Sequence, residues 1–306
     1  MQRLVIATRK SRLALWQSEH CAALLREAHP GLQVELLPMS TRGDEVLDRS
    51  LTEIGGKGLF LKELEQALLS GRADVAVHSL KDMPAASPKG LAIGALLPRA
   101  DPRDLWIARD GLAPAELPAG ARVGSSSLRR IGQLMAIRQD LEVVPLRGNV
   151  ETRIRAVVEH RVDATLLAAA GLIRLGIVPV EARFLDPDHW LPAPGQGIIA
   201  VQYRTDDAAT KAVLQRISDP VSEIQAAAER ALVSELGGDC RMPLGALARI
   251  DGDELHLSAC LSDGQGTVLS VNCSGCANKP EILGREAASR LLGNGGQALL
   301  DRLDRS

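Results

Sequence analysis

The sequence predicts an α/β protein: two α/β lobes with mostly parallel sheets, followed by a small C-terminal α+β domain. Three observations predict it. Apolar runs of strand length alternate with segments of helical period in the first part of the chain. The same alternation recurs in the middle. Beyond about residue 217 it gives way to short strands joined by Asp-Gly turns and flanked by helices.

The first lobe opens with RLVIAT (3–8), a strand. SRLALWQSEHCAALLREAH (11–29) has helical period and is stopped by Pro30-Gly31. LQVELLPM (32–39) is a strand, LFLKELEQALLSG (59–71) a helix closed by Gly71, and ADVAVHSL (73–80) a strand. This β-α-β-α-β order predicts a parallel sheet with helices on both faces. In the second lobe ARVGSSSLRRIGQLMAIRQD (121–140) reads as strand, loop and helix. LEVVPLRGN (141–149) is a strand, VETRIRAVVEH (150–160) a helix and RVDATLLAAA (161–170) a strand. Pieces of the two lobes match by letter. Glu35-Leu-Leu-Pro38 with Arg42-Gly43-Asp44 resembles Glu142-Val-Val-Pro145 with Arg147-Gly148-Asn149, and RADVAVHS (72–79) resembles RVDATLLA (161–168).

A linker is expected near Pro98-Arg99-Ala100-Asp101-Pro102, and the chain returns to the first lobe through LPAPGQGIIAVQYR (191–204). The last part carries a helix (222–236), three strands (PLGALARI, ELHLSACL, TVLSVNC) and a final helix that opens with Pro280. The expected division is 1–98 with a returning segment at about 197–216, then 103–192, then 217–306.

Composition bounds the function. At 306 residues and 45% hydrophobic the chain is globular, with cores of Leu, Val, Ile and Ala because only 2% is aromatic. A formal charge of −2 gives no global pull toward nucleic acid or a membrane. The run Leu4–Ala7 is too short for a signal sequence, and ATLLAAAGLI is about half of a membrane span. A cytoplasmic location is expected, with the five cysteines reduced.

Ligands of open α/β sheets bind beyond the carboxyl ends of the strands. Those loops hold Arg9-Lys10-Ser11-Arg12, Ser40-Thr41-Arg42 and His78-Ser79-Leu80-Lys81-Asp82 in the first lobe. In the second they hold Ser125-Ser126-Ser127-Leu128-Arg129-Arg130 and Arg147-Gly148-Asn149, with Arg153 and Arg174 beyond. Hydroxyls, arginines and helix N–H groups together bind anions. Any one arginine is equally a solvated surface residue. Their recurrence at the same topological place in both lobes favours a ligand with several carboxylates or phosphates.

Asp82 is the best catalytic carboxylate, able to handle protons or stabilise a cation, and is also a normal turn residue. His78 reads as a hydrogen-bonded core histidine. Gly55-Gly56-Lys57-Gly58-Leu59-Phe60 lacks Walker spacing and fits a lid over an anionic ligand, or a plain loop. Cys273-Ser-Gly-Cys276 ends a hairpin, so it lacks a redox setting, and a zinc site would need Cys260 and His256 at an unfamiliar spacing; no metal is expected. Cys21 lies within a helix and reads as core. Cys240, in Gly237-Gly238-Asp239-Cys240-Arg241-Met242-Pro243, follows a helix end. Arg241 favours its thiolate and Asp239 opposes it. With no base in view, a covalent anchor suits it better than a turnover nucleophile.

The whole chain resembles the porphobilinogen deaminase (hydroxymethylbilane synthase) family. The matching motifs, in the family's order, are ATRKSRLAL, STRGD, GGKGLFLKELE, VHSLKDMP, GSSSLRR, LRGNVETR, LPAPGQG and GGDCRMPLG. One departure is that Asp239 stands directly before the cysteine, where the family's pattern has glycine. The resemblance implies a transferase of tetrapyrrole (haem) biosynthesis. It joins four porphobilinogen molecules head to tail, releases ammonia at each step and frees hydroxymethylbilane by hydrolysis. It works on a dipyrromethane cofactor attached through a cysteine thioether, at the position of Cys240.

The family's catalytic aspartate falls on Asp82, which would stabilise the azafulvene cation and pyrrole N–H groups. Arg9, Ser11, Lys57, Ser79, Lys81, Ser127, Arg129, Arg130, Arg147, Arg153 and Arg174 would contact cofactor or substrate. Gly55, Gly56, Lys57, Gly58 and Phe60 would form the lid. The resemblance also implies two periplasmic-binding-protein-like lobes, a third domain carrying the tether, and a monomer. Two rival readings remain. One is a non-catalytic organic-anion binding protein with no role for Cys240, and the other is a zinc- or redox-active C-terminal domain using Cys273 and Cys276.

Overall fold

The computed structural model describes residues 1–40, 61–238 and 242–303. In chain order the elements begin with β1 (Arg3–Arg9), α1 (Arg12–Ala28), β2 (Gln33–Met39), α2 (Lys62–Leu69), β3 (Val75–Ser79), β4 (Leu91–Leu96) and β5 (Asp104–Ala108). Next come β6 (Arg122–Gly124), α3 (Leu128–Ile137), β7 (Glu142–Val144), α4 (Val150–Val158), β8 (Ala164–Ala168), α5 (Ala169–Leu175) and β9 (Arg183–Phe184). Then follow β10 (Ile199–Arg204), α6 (Ala208–Gln215), α7 (Pro220–Glu235), β11 (Leu244–Asp251), β12 (Glu254–Ser262), β13 (Val268–Cys276), α8 (Pro280–Leu291) and α9 (Gln297–Leu303). The chain divides into two compact units, Met1–Arg99 with Ile198–Glu223, and Ala100–Gly197 with Ile224–Ser306.

The first unit holds a five-stranded sheet of order β2-β1-β3-β10-β4. β1 runs parallel to β2 and β3, whereas β10 is antiparallel to β3 and β4. Both faces are covered. Leu4 and Ile6 of β1 and Val75 and Val77 of β3 pack with Cys21 and Leu25 of α1. Ala7 and Ala76 face Leu64 and Leu68 of α2. A strand buried on both sides needs an apolar residue at nearly every position, which is why RLVIAT and ADVAVHSL read as continuous runs. Each buried Leu or Ile contributes about 1.5–3 kcal/mol of transfer free energy.

The second unit repeats the plan with a sheet of order β7-β6-β8-β5-β9. β6 is parallel to β7 and β8, and β5 is antiparallel to β8 and β9. So β1, β2, β3 and β10 correspond to β6, β7, β8 and β5. The likeness extends to single side chains. Asp74, just before β3, accepts from the Val5 N–H at 2.7 Å and lies 3.8 Å from Arg204 at the end of β10. Asp163, just before β8, accepts from the Arg122 N–H at 2.8 Å and pairs with Arg109, just past β5, at 2.8 Å. The letter match between the two segments reflects this shared aspartate, which ties the entry of one strand to its parallel neighbour.

The same unit contains an antiparallel sheet of order β11-β12-β13. Leu257 and Ala259 of β12 and Ala246 and Ala248 of β11 pack with Leu232 of α7 and Leu283 and Ala287 of α8 in one core. Hydrogen bonds join the sheet to the lobe. The Ala246 N–H donates to the Pro192 carbonyl at 2.9 Å. Glu229 of α7 is fully buried and accepts from the N–H groups of Gly195 (2.6 Å) and Ala248 (2.8 Å).

The structure differs from expectation in a few elements. RVDATLLAAA ends as a strand at Ala168, and helix α5 starts at Ala169. Alanine has high helix propensity, and Gly176 supplies the left-handed residue that closes the turn. β4, β5, β9, α6 and α9 were not expected. β4 carries Gly94 in its middle, and β5 opens on a charged residue, so neither shows a clean strand pattern. No helix among the described residues is long and apolar enough to cross a membrane.

Candidate active site

In the first unit, the carboxyl ends of the paired strands β1 and β3 carry the expected cluster. Arg9 is the last residue of β1. Ser11 caps α1, its hydroxyl accepting from the Ala14 N–H at 3.4 Å. Ser79 is the last residue of β3, and its Oγ accepts from the buried Gln17 amide at 2.9 Å. That bond leaves the Ser79 proton to be donated elsewhere.

The chain then makes one 3₁₀ turn, Leu80–Asp82. Buried Leu80 anchors the turn, its N–H bonded to the Ile198 carbonyl at 3.0 Å, while Lys81 is half-buried and Asp82 exposed. The N–H of Met83 closes the turn onto the Leu80 carbonyl at 3.0 Å. Asp82 is thus an open carboxylate on a fixed backbone, with Lys81, Ser79 and Arg9 at the same sheet end.

His78 sits behind this cluster. It is buried, with Nε2 donating to Gln202 Oε1 at 3.1 Å, and the Gln202 amide in turn donates to Glu65 at 3.3 Å. Burial lowers its pKa to about 4, against the Gln202 hydrogen bond and with a further push from Arg9. It is a neutral core histidine at neutral pH.

In the second unit the loop after β6 is tied by its own serines. Ser125 Oγ accepts from the Ser127 N–H at 3.2 Å, and Ser126 Oγ donates to the Leu146 carbonyl at 3.2 Å. Ser127 occupies the N-cap of α3 without a capping bond from its side chain. Arg147 follows β7 and directly precedes Gly148. Arg153, one turn into α4, donates from Nε to the Gly148 carbonyl at 3.0 Å, and Asn149 caps α4. Arg174, in the last turn of α5, donates from Nη2 to the Gly197 carbonyl at 2.7 Å, and burial pushes its pKa down to about 10.

Arg129 and Arg130 converge on a residue that sequence reasoning missed. Asp104, the first residue of β5, is fully buried. Arg130 meets it in two parallel bonds, Nη2 to Oδ1 at 2.7 Å and Nε to Oδ2 at 3.1 Å, and donates from Nη1 to the Leu166 carbonyl at 2.9 Å. Arg129 approaches the same carboxylate through Nη1 at 2.9 Å and donates from that nitrogen to the Leu191 carbonyl at 2.8 Å. The indole N–H of Trp190 (2.9 Å) and the amide of Gln196 (2.9 Å) complete the ring around Asp104.

Burial alone would raise the Asp104 pKa, but Arg129 and Arg130 hold it well below the usual carboxylate range. Desolvation lowers that of Arg129. Two cations around one anion leave a net positive charge in a buried place, the setting that receives a carboxylate. The signal was available only as Asp104 in an otherwise apolar run, DLWIA.

Cys240, the proposed lid residues Gly55, Gly56, Lys57, Gly58 and Phe60, and Arg42 lie outside the described residues. The described neighbours of Cys240 frame its position. α7 ends at Glu235, Gly237 takes a left-handed φ of 65°, and the Gly238 N–H returns to the Val233 carbonyl at 3.0 Å. A Cβ on Gly238 would lie 2.6 Å from the Met242 methyl, so the two flanks of the cysteine pack together. Burial raises the thiol pKa of Cys21 to about 12 and also raises those of Cys260 and Cys273, so these three stay protonated. Among the described residues no group of three His, Cys, Asp or Glu side chains is placed to hold a metal ion.

Comparison with known proteins matches this arrangement to one family. The model of the porphobilinogen deaminase dipyromethane cofactor binding domain matches residues 4–212, and that of the porphobilinogen deaminase C-terminal domain matches residues 224–293. The chain is 50% identical to a porphobilinogen deaminase of Stenotrophomonas maltophilia (strain K279a), over 98% of this chain and 100% of that one. It is 48% identical to that of Chromobacterium violaceum, over 98% and 97%. Among solved structures, the periplasmic VFT2 domain of Bordetella pertussis BvgS overlays with a TM-score of 0.44 at 17% identity, over 71% of this chain and 86% of that one. Two family models that together span nearly the whole chain, and relatives at half identity over full length, show that the chain belongs to the porphobilinogen deaminase family.

Proposed function

We propose that this chain joins four porphobilinogen molecules head to tail into hydroxymethylbilane, on a dipyrromethane held through Cys240, with Asp82 as the catalytic carboxylate. The observation that carries this reading is the place of Asp82. It is exposed on a rigid turn at a parallel-strand end, beside Lys81, Ser79 and Arg9.

Each step breaks the aminomethyl C–N bond of one substrate, releases ammonia, forms a C–C bond to the growing chain, and removes a proton from the pyrrole carbon attacked. Cationic character develops on the substrate as ammonia leaves. A carboxylate close to that charge lowers the barrier, and the same group accepts and returns protons. Asp82 supplies it. Its backbone is fixed by the Leu80 and Met83 hydrogen bonds, so little reorganisation is required.

Every pyrrole brings an acetate and a propionate. Arg9, Ser11, Ser79, Lys81, Ser127, Arg129, Arg147, Arg153 and Arg174 would receive them, with Arg130 held on Asp104 beside Arg129, each charge-assisted contact contributing about 1.5–3 kcal/mol when desolvated. Lys57 and Phe60, with Gly55, Gly56 and Gly58, would close over the ligand. The dipyrromethane supplies the acceptor carbon for the first condensation. The buried excess of one positive charge at Arg129, Arg130 and Asp104 fits one of the four carboxylates of a dipyrromethane.

The division at 1–98 with 197–216, 103–192 and 217–306 completes the reading, with Cys240 carried by the last part. We take the chain to act as a monomer in the cytoplasm. Cys21, Cys260, Cys273 and Cys276 are all free thiols, which suits a reducing compartment. Incubation with porphobilinogen tests the function. Ammonia and hydroxymethylbilane in a ratio of four to one are expected, and an inert mixture containing cofactor-loaded protein would overturn the reading.

A further inference from the structure

We propose that Asp104 is a positioning residue for the reaction: it locks Arg130 and turns Arg129 so that the Nε and Nη2 groups of Arg129 receive a carboxylate of the pyrrole ligand. The inference rests on the functional reading above and divides labour between two arginines that the sequence treats alike.

The division follows from donor counting. A guanidinium has five N–H bonds. Arg130 uses Nε, Nη1 and Nη2 on protein acceptors, two of them on Asp104, in a bidentate pair with no net charge. Arg129 uses only Nη1, shared between Asp104 and the Leu191 carbonyl. Its Nε and Nη2 make no hydrogen bond among the described residues, although the side chain is 5% exposed. These donors are not among the sealed, unpartnered polar atoms of the described residues, so they are open to an incoming carboxylate, which a mostly buried guanidinium binds strongly.

Asp104 cannot neutralise both arginines, so one unit of positive charge stays with Arg129. The Trp190 indole and the Gln196 amide bond the Asp104 oxygens and fix the carboxylate plane, so the direction of Arg129 is set before any ligand binds. Trp190 immediately precedes the LPAPGQG segment, Leu191 and Gln196 lie within it, and Arg129 and Arg130 stand in the first turn of α3. Asp104 therefore joins two motif segments that the sequence keeps apart.

The test uses the full chain as purified, with Asp104→Asn, Asp104→Glu and Trp190→Phe. Intact mass gives the fraction carrying a two-pyrrole adduct, kinetics give KM and kcat for porphobilinogen, and melting gives Tm. In Asp104→Asn the KM is expected to rise about tenfold and the adduct-bearing fraction to fall, the scale of one lost charge-assisted contact. Asp104→Glu keeps the charge and is expected to recover loading while retaining a raised KM.

A purely structural Asp104 would lower Tm and leave KM and loading of the folded protein unchanged, and that result overturns the proposal. Trp190→Phe keeps all three charges and decides the matter if the Asn variant does not fold. A KM raised roughly threefold, the loss of one neutral hydrogen bond, is expected, and an unchanged KM overturns it. A wild-type chain with neither adduct nor turnover would instead overturn the functional reading beneath it.

Discussion

Asp82 makes no hydrogen bond through its side chain among the described residues and is exposed, so its removal costs the fold little. Asp82→Asn is expected to keep the wild-type Tm within a degree or two while kcat falls by about 10²–10⁴, the usual contribution of a positioned acid–base group. Full turnover by that variant would remove Asp82 from the chemistry. His78 makes a separate prediction. Its folded pKa of about 4 lies below the ordinary 6.5, so the unfolded chain binds the extra proton. Stability from this group is complete above pH 6.5 and is lost as pH falls toward 4. The loss approaches about 3 kcal/mol, and His78→Gln is expected to flatten the fall of Tm with pH over that window. At this scale the strand-end residues were legible because motif and topology agree on them. Asp104 was not, because nothing in DLWIA says that two arginines of another segment will close around its carboxylate.

Among the elements, α3 sits closely against the C-terminal sheet at Gly132. A Cβ there would lie 1.9 Å from Ser262 Oγ and 2.5 Å from Ser262 Cβ, at the end of β12. Gly132→Ala is expected to destabilise by about 1–3 kcal/mol, and Ser262→Gly to restore much of it, a coupling that a double-mutant cycle on thermal melts measures. The same helix carries Arg129 and Arg130 at its first turn, so its seating also bears on where those two side chains lie. Buried parallel strands such as β1 and β3 were legible because every position is apolar. The change from strand to helix after Ala168 was not, because an alanine run suits both, and only packing against Leu105 and Ile107 of β5 settles where α5 begins. The antiparallel strands β5 and β10 needed partners supplied by chain segments far away in sequence.

For the whole molecule, one architectural plan is used twice, and the match between Asp74 and Asp163 shows that it reaches single hydrogen bonds. Each copy gathers cations and hydroxyls at the carboxyl ends of its parallel strands. A third part, built on an antiparallel sheet, follows α7 and the segment that carries Cys240. Glu229 ties that helix to the Gly195 N–H on one side and to β11 on the other. Glu229→Ala leaves two buried N–H groups without acceptors and is expected to cost about 2–4 kcal/mol, read as a fall in Tm, whereas Glu229→Gln keeps an acceptor and is expected to lose less. This chain is proposed to build its product on a pyrrole primer bonded to Cys240. Intact mass under denaturing conditions, wild type beside Cys240→Ser, tests it most directly. A mass excess of two pyrrole units is expected in the wild type and not in the variant, with further pyrrole-sized gains after porphobilinogen is added. An unmodified wild-type mass, unchanged by porphobilinogen, would contradict it.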